Sequence, residues 1–201
     1  GAVSIMRISR RHMLQAAGVA GLAAPALDGL LLSRGARAQD GTVTVAYNVN
    51  LPSWDPTVGL SAVNPTIQSL YKAVFDQYVD QNPDLSFKPG LLTDWGWNED
   101  RSQIYLEVRE GAKWHDGVDV TPEDVVWSLE LAGNPDTGNP IQFVWGKVGN
   151  YAIEGNRITA DVLSFEPTLF KWMAFLTGYI LPKHYYEEVG AEGFEAAPIG
   201  S

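Results

Sequence analysis

A mixed α/β (α+β) fold is predicted by three observations. Short segments alternate apolar and polar residues with the period of a half-buried strand, and helix starts with complete capping signals stand between them. Hydrophobic residues make up 45% of the chain, enough to fill a core. The 201 residues suffice for one domain, or for two small ones if the core is divided.

The first 38 residues read as a separate segment. Arg10 and Arg11 open a basic start that runs into an Ala- and Gly-rich apolar stretch over residues 16–24, and Ala36-Arg37-Ala38 is a small-x-small cleavage pattern. Paired arginines before such a run look like a twin-arginine export signal, so residues 1–38 are expected to engage the twin-arginine export machinery and deliver residues 39–201 to the periplasm. Met6 is a candidate start, and cleavage after Ala38 stays open. A membrane anchor over residues 13–32 is the competing reading. Pro25, Asp28 and the glycines weigh against it, since a mid-membrane Asp costs about 2.5–3.5 kcal/mol on insertion scales.

The next elements follow in order. Thr42-Val43-Thr44-Val45-Ala46-Tyr47 reads as a strand, and Pro52 and Pro56 prevent its continuation. Asn64 and Pro65 are the cap and first residue of a helix carrying Ile67, Leu70 and Val74. Gln81-Asn82-Pro83-Asp84 is turn chemistry between two extended pieces. Ile104, Leu106 and Val108 alternate with polar neighbours as a half-buried strand. Asp116-Gly117 is a turn pair, and Thr121, Pro122, Glu123 and Asp124 open a helix that buries Val125, Val126 and Leu129 and ends at Gly133-Asn134-Pro135. Tyr151 to Glu154, Gly155-Asn156, then Arg157 to Val162 is a hairpin with a two-residue turn. Glu166-Pro167 opens a helix with Leu169, Phe170, Trp172 and Met173. Gly178 to Leu181 is a short apolar run, and Pro198 to Ser201 ends in a loop, as a truncated chain would.

Composition excludes several functions. Residues 1–38 hold Arg7, Arg10, Arg11, Arg34 and Arg37 against the acid Asp28. Of the chain's 14 basic and 24 acidic residues this leaves nine and 23 for the remainder, a net of −14. So acidic a body repels a phosphate backbone, and no nucleic-acid partner is expected. The absence of cysteine removes disulfides, thiolate metal sites and a Cys nucleophile. No phosphate loop, nucleophile elbow or metal-ligand spacing occurs, so no catalytic residue, metal or cofactor is expected. His115 beside Asp116 has the letters of half a catalytic site, but no third group completes a triad. Turn and packing are the expected roles. The surplus is aromatic, with seven Trp and eight Tyr. That surplus is read as core first, and as the lining of a concave ligand cleft second.

Several motifs carry a family resemblance. Trp54-Asp55-Pro56, Leu70-Tyr71, and Pro89-Gly90-Leu91-Leu92-Thr93-Asp94-Trp95 lead into Tyr105-Leu106-Glu107-Val108-Arg109-Glu110-Gly111-Ala112-Lys113-Trp114-His115-Asp116-Gly117, and then into Thr121-Pro122-Glu123-Asp124-Val125-Val126-Trp127-Ser128. With Ile180-Leu181-Pro182-Lys183-His184-Tyr185 and the terminal Pro198-Ile199-Gly200-Ser201, this resembles the family 5 extracytoplasmic solute-binding proteins, the peptide, oligopeptide and nickel receptors of ABC importers. Thr121 departs from the family's common Ala, harmlessly at a cap. The resemblance implies a two-lobed, type II periplasmic-binding-protein-like fold that closes on its ligand. Residues 39–201 would be the first-lobe portion with the family's extra subdomain, ending before the second lobe, which holds most of the groups that grip a peptide's termini.

The implied function is capture of a peptide or peptide-like solute for ABC permease subunits, without enzymatic activity. A secreted hydrolase fragment, and a sensor-linked binding protein without a transport role, are the alternatives. The loop over residues 48–61 leaves the first strand at its C-terminal end, where open α/β folds bind ligands. The resemblance puts Val58 to Ser61 at the cleft wall and Phe143, Val144 and Trp145 near its mouth. Gly59, Leu60, Trp54 and Trp145 are therefore the candidate ligand-binding residues, acting through packing and backbone hydrogen bonds. For Trp54 a role as core anchor is an equal alternative.

Overall fold

The computed structural model describes residue 46 and residues 48–59, 63–176 and 178–201. The expected export signal, Leu60, and all of the expected first strand except Ala46 lie outside the described residues.

The first helix, α1 (Pro65–Tyr71), starts where the sequence says. Asn64 Oδ1 accepts from the amides of Thr66 at 2.9 Å and Ile67 at 3.3 Å, and Pro65 takes the first helical position. The helix ends before Val74, and its most deeply buried residue is Tyr71. Strands β1 (Val79–Gln81) and β2 (Phe87–Pro89) pair antiparallel across the expected turn.

The main sheet is antiparallel, in the order β3-β4-β6-β5, from β3 (Leu92–Trp97), β4 (Gln103–Val108), β5 (Val148–Glu154) and β6 (Arg157–Val162). The period-two pattern of β4 works as read: Ile104, Leu106 and Val108 are buried and their neighbours are not. The same face receives Ile158 and Ala160 from β6. Helix α2 (Pro122–Gly133) packs Val125 and Leu129 into this core beside Trp114, Val144 and Trp145.

Helix α2 begins with a full capping box. Thr121 Oγ1 accepts from the Asp124 amide at 3.3 Å, and Asp124 Oδ2 accepts from the Thr121 amide at 2.9 Å. Two short helices follow, α3 (Gln142–Trp145) and α4 (Leu169–Trp172), the second beginning just after Glu166 and Pro167. The last, α5 (Lys183–Ala196), is broken at Gly190. The sequence reading has no helix there. Glu192 and Glu195 in its last turns, two glycines and the absence of a side-chain cap give weak local signals, and tertiary contacts through Phe194 hold it.

A second hydrophobic cluster lies between α1 and α5, formed among the described residues by Ile67, Tyr71, Phe75, Tyr179, Leu181 and Phe194. Among the described residues, no helix is long and apolar enough to cross a membrane.

Candidate ligand cleft wall and the scaffold behind it

The loop before α1 is built from its own polar side chains. Asp55 is buried, and its Oδ1 accepts from the Thr57 amide at 2.8 Å and from Thr57 Oγ1 at 2.6 Å. Ser53 Oγ accepts from the Asp55 amide at 2.9 Å. A buried carboxylate so placed is costly unless its lone pairs are filled, and here both oxygens are used. The second, Oδ2, accepts from the Tyr186 hydroxyl of α5 at 2.9 Å. Burial, then the Asp55 charge, pushes the Tyr186 hydroxyl well above its ordinary range, so it stays a donor. From α1, Tyr71 donates to the Ser53 carbonyl at 2.7 Å. The Trp54-Asp55-Pro56 motif is thus a clamp that fixes the loop to two helices.

This clamp positions the candidate residues. Trp54 is half-buried, its ring 6.4 Å from that of Tyr71. Gly59 is exposed at φ 53°, in the left-handed region where a side chain costs about 1–2 kcal/mol. A Cβ there would meet nothing within 4 Å, so conformation rather than crowding selects glycine. Trp145 is placed differently. It is 1% exposed, with its ring 6.0 Å from that of Tyr78 in the sheet-side core. Its neighbour Phe143 is the exposed member of that stretch, at 56%. Trp54 and Gly59 therefore share one segment, and Trp145 belongs to the other hydrophobic cluster.

The signature turn has a role the sequence reading found only in part. Asp116 Oδ1 accepts from the Val118 amide at 3.0 Å and Gly117 takes φ 88°, a local turn as expected. Two long-range contacts were not foreseen. His184 Nε2 lies 2.8 Å from Asp116 Oδ2, and His115 pairs with the Gly200 backbone through its own amide and its ring. In that pair the His115 amide donates to the Gly200 carbonyl at 2.8 Å, and the Gly200 amide donates to His115 Nδ1 at 3.2 Å. The bond from His184, then the Val118 amide, hold the Asp116 carboxyl below its ordinary range. Gly200 has no room for a Cβ, which would run into the Val74 carbonyl.

Asp124 is the centre of this scaffold. Besides the capping box, Oδ2 lies 3.3 Å from Trp114 Nε1, and Oδ1 accepts from the Lys183 amide at 3.1 Å. Ser128, one turn on, pairs with the Leu181 backbone through its hydroxyl. Among the described residues no hydroxyl bonds either His115 or His184, and no three His, Asp or Glu side chains gather as metal ligands. The chemistry available here is that of a clamp. A capping-box pattern at 121–124 was readable, but nothing local in the sequence signals partners 59 or 68 residues away.

Comparison with known proteins agrees with this geometry. The model for bacterial extracellular solute-binding proteins, family 5 Middle, matches residues 86–201. The chain is 32% identical over 137 residues to a probable peptide ABC transporter periplasmic-binding protein of Sinorhizobium fredii, covering 68% of this chain and 25% of that protein. It is 37% identical over 95 residues to the periplasmic murein peptide-binding protein MppA of Escherichia coli, covering 46% and 16%. Among solved structures, Haemophilus influenzae OppA in complex with RPPGFSPFR superposes with a TM-score of 0.63 at 17% identity, covering 74% of this chain and 32% of that one. At such identity the likeness is one of fold, that of a type II periplasmic binding protein. The chain spans about a quarter of the length of the first of these relatives and less of the second.

Proposed function

Because this chain belongs to the bacterial extracellular solute-binding proteins of family 5, a family of binding proteins rather than enzymes, we propose that it is part of the periplasmic receptor of an ABC importer. Its solute in this reading is a peptide or peptide-like molecule, handed to the permease subunits. The observation that carries the reading is the family match over residues 86–201, which includes the whole signature from β4 through α2 and on to Gly200. The peptide-binding names of the relatives support the choice of solute.

In this proposal residues 39–201 are the first-lobe portion with the family's extra subdomain, and residues 1–38 are a twin-arginine signal. Capture needs no bond-making step. The clamped loop offers one wall, with the Trp54 ring for packing and the backbone at Gly59 and Leu60 for hydrogen bonds. Trp145, buried in the sheet-side core, lies apart from that wall, and the remainder of the receptor closes over the solute.

The deciding experiment uses the full-length receptor and a pool of short peptides. A saturable rise in melting temperature is expected, equivalent to about 2.7 kcal/mol at a hundredfold excess over Kd, with every peptide recovered intact. Cleaved peptides would overturn the reading in favour of a hydrolase. For the loop, Gly59→Asn tolerates the left-handed backbone while adding a side chain. It should weaken peptide binding at least tenfold, about 1.4 kcal/mol, by calorimetry. Unchanged affinity removes the loop from the site. For export, Arg10→Lys with Arg11→Lys should leave the protein in the cytoplasm, and normal periplasmic accumulation would sink that assignment.

A further inference from the structure

Helix α2 ends over a cavity of about 370 Å³ that lies between it and strand β5. Its lining includes Trp145, Val148 and Leu129 from the buried core, with Tyr151 half-buried beside them and Glu130 and Asn150 exposed. No lysine or arginine lines it.

Three features meet at this cavity. Glu130 stands in the last turn of a 12-residue helix, where the dipole disfavours a carboxylate, and no basic residue occupies that turn. No ion pair among the described residues includes it. Asn150 takes φ 52°, a left-handed backbone that asparagine tolerates, at the point where β5 slips register against β6, and its side chain donates to Asp161 Oδ2 at 3.0 Å. The slip opens an edge strand just where the cavity lies. The Tyr151 hydroxyl is held above its ordinary range by burial, and next by the charge of Glu130, so the carboxylate's field reaches into the cavity. A carboxylate without an ion-pair partner among the described residues, a register slip and a half-buried aromatic ring meet on one concave surface, and together they mark a candidate site.

We propose that this cavity binds an organic ammonium group, with Glu130 as counter-ion and the half-buried Tyr151 ring as the aromatic side of the site. The carbonyl end of α2 adds negative potential on the same side, and a cation over the Tyr151 ring gains further attraction from the ring's negative face. The site is distinct from the loop at residues 48–59 and does not depend on the importer reading.

The test uses n-butylammonium as probe and n-butanol as its neutral counterpart, with backbone amide chemical shifts of the 201-residue chain as readout at physiological ionic strength. Saturable shifts centred on Gly146, Gly149, Asn150 and Tyr151 are expected with the ammonium and not with the alcohol. Glu130→Gln, an exposed substitution, should weaken the response at least tenfold, and Glu187→Gln on α5 should leave it unchanged. Shifts scattered over the acidic surface, equal binding of butanol, or an unaltered response in Glu130→Gln would each overturn the proposal.

Discussion

The sheet side of the molecule and the α1–α5 side are held together by different physics. Around β3 to β6 and α2 the buried residues are overwhelmingly aliphatic, brought together by strand alternation and one helical face. Between α1 and α5, four of the six buried residues of the cluster are aromatic, and polar groups are buried with them. There the tyrosines act twice. Tyr71, Tyr179 and Tyr186 each bury a ring and donate a hydroxyl, to the Ser53 carbonyl, the Gln68 carbonyl and Asp55. Apolar packing tolerates modest changes of shape, whereas a buried polar pair does not tolerate loss of one partner. The α1–α5 side, which carries the proposed cleft wall, is therefore the one that single substitutions should break.

The largest effect is expected at the joint between the two sides. Asp124→Ala removes the capping box, the acceptor for Trp114 and the acceptor for the Lys183 amide together. A lost cap costs about 1 kcal/mol and each buried donor left unsatisfied about 1–3 kcal/mol, so a loss of at least 3 kcal/mol by denaturant unfolding is expected. Thr121→Ala, which removes only the cap side chain, should cost about 1 kcal/mol. Equal costs for the two would mean that Asp124 does no more than cap its helix, and the joint would disappear from the comparison.

That contrast also explains what could be read in advance. Alternation in β4, the turn pair at Gly155-Asn156, and the caps at Asn64 and Thr121 are local signals, and each produced the element expected. The α1–α5 side is joined by contacts across 111 and 131 residues, made by tyrosine hydroxyls whose local sequence gives no hint of a partner. Helix α5 was missed for that reason, and so was the pairing of Asp116 with His184. Of the candidate site, Trp54 and Gly59 stand together because they are sequence neighbours on one clamped loop. The family resemblance puts Trp145 near a cleft mouth, and the structure buries it, because the four-residue helix α3 turns Phe143 outward and Trp145 in.

A middle-sized effect tests the clamp directly. Asp55→Asn keeps the shape but removes the charge that Tyr186 and Thr57 address, and should cost about 2 kcal/mol, since bonds to charged groups contribute about 1.5–3 kcal/mol. Tyr186→Phe should cost less, and the double-mutant cycle should show a coupling energy of about 1 kcal/mol or more. Additive losses would mean that the hydroxyl and the carboxylate act independently, and that aromatic packing alone holds α5 to the loop.

The smallest effect comes from the sheet side's own polar tie. Glu166 accepts from the Thr168 hydroxyl and amide and pairs with Lys147 at 3.0 Å, joining the entry of α4 to the start of β5. These partners, the Thr168 hydroxyl first and Lys147 next, hold its carboxyl at about 2, against an ordinary 4.5. A carboxyl depressed by folding stabilises the fold above its unfolded value, and that contribution is lost as the pH falls from about 4.5 through about 2. Solvent screens the pair, so the free energy involved should stay within about 1 kcal/mol. The measurement is the difference in melting temperature between the wild type and Glu166→Gln across that window. It should be positive at pH 6 and shrink toward zero near pH 2. A difference that does not change with pH would show that the glutamate acts through its shape and hydrogen bonds alone, with no ionic contribution from its pairing with Lys147.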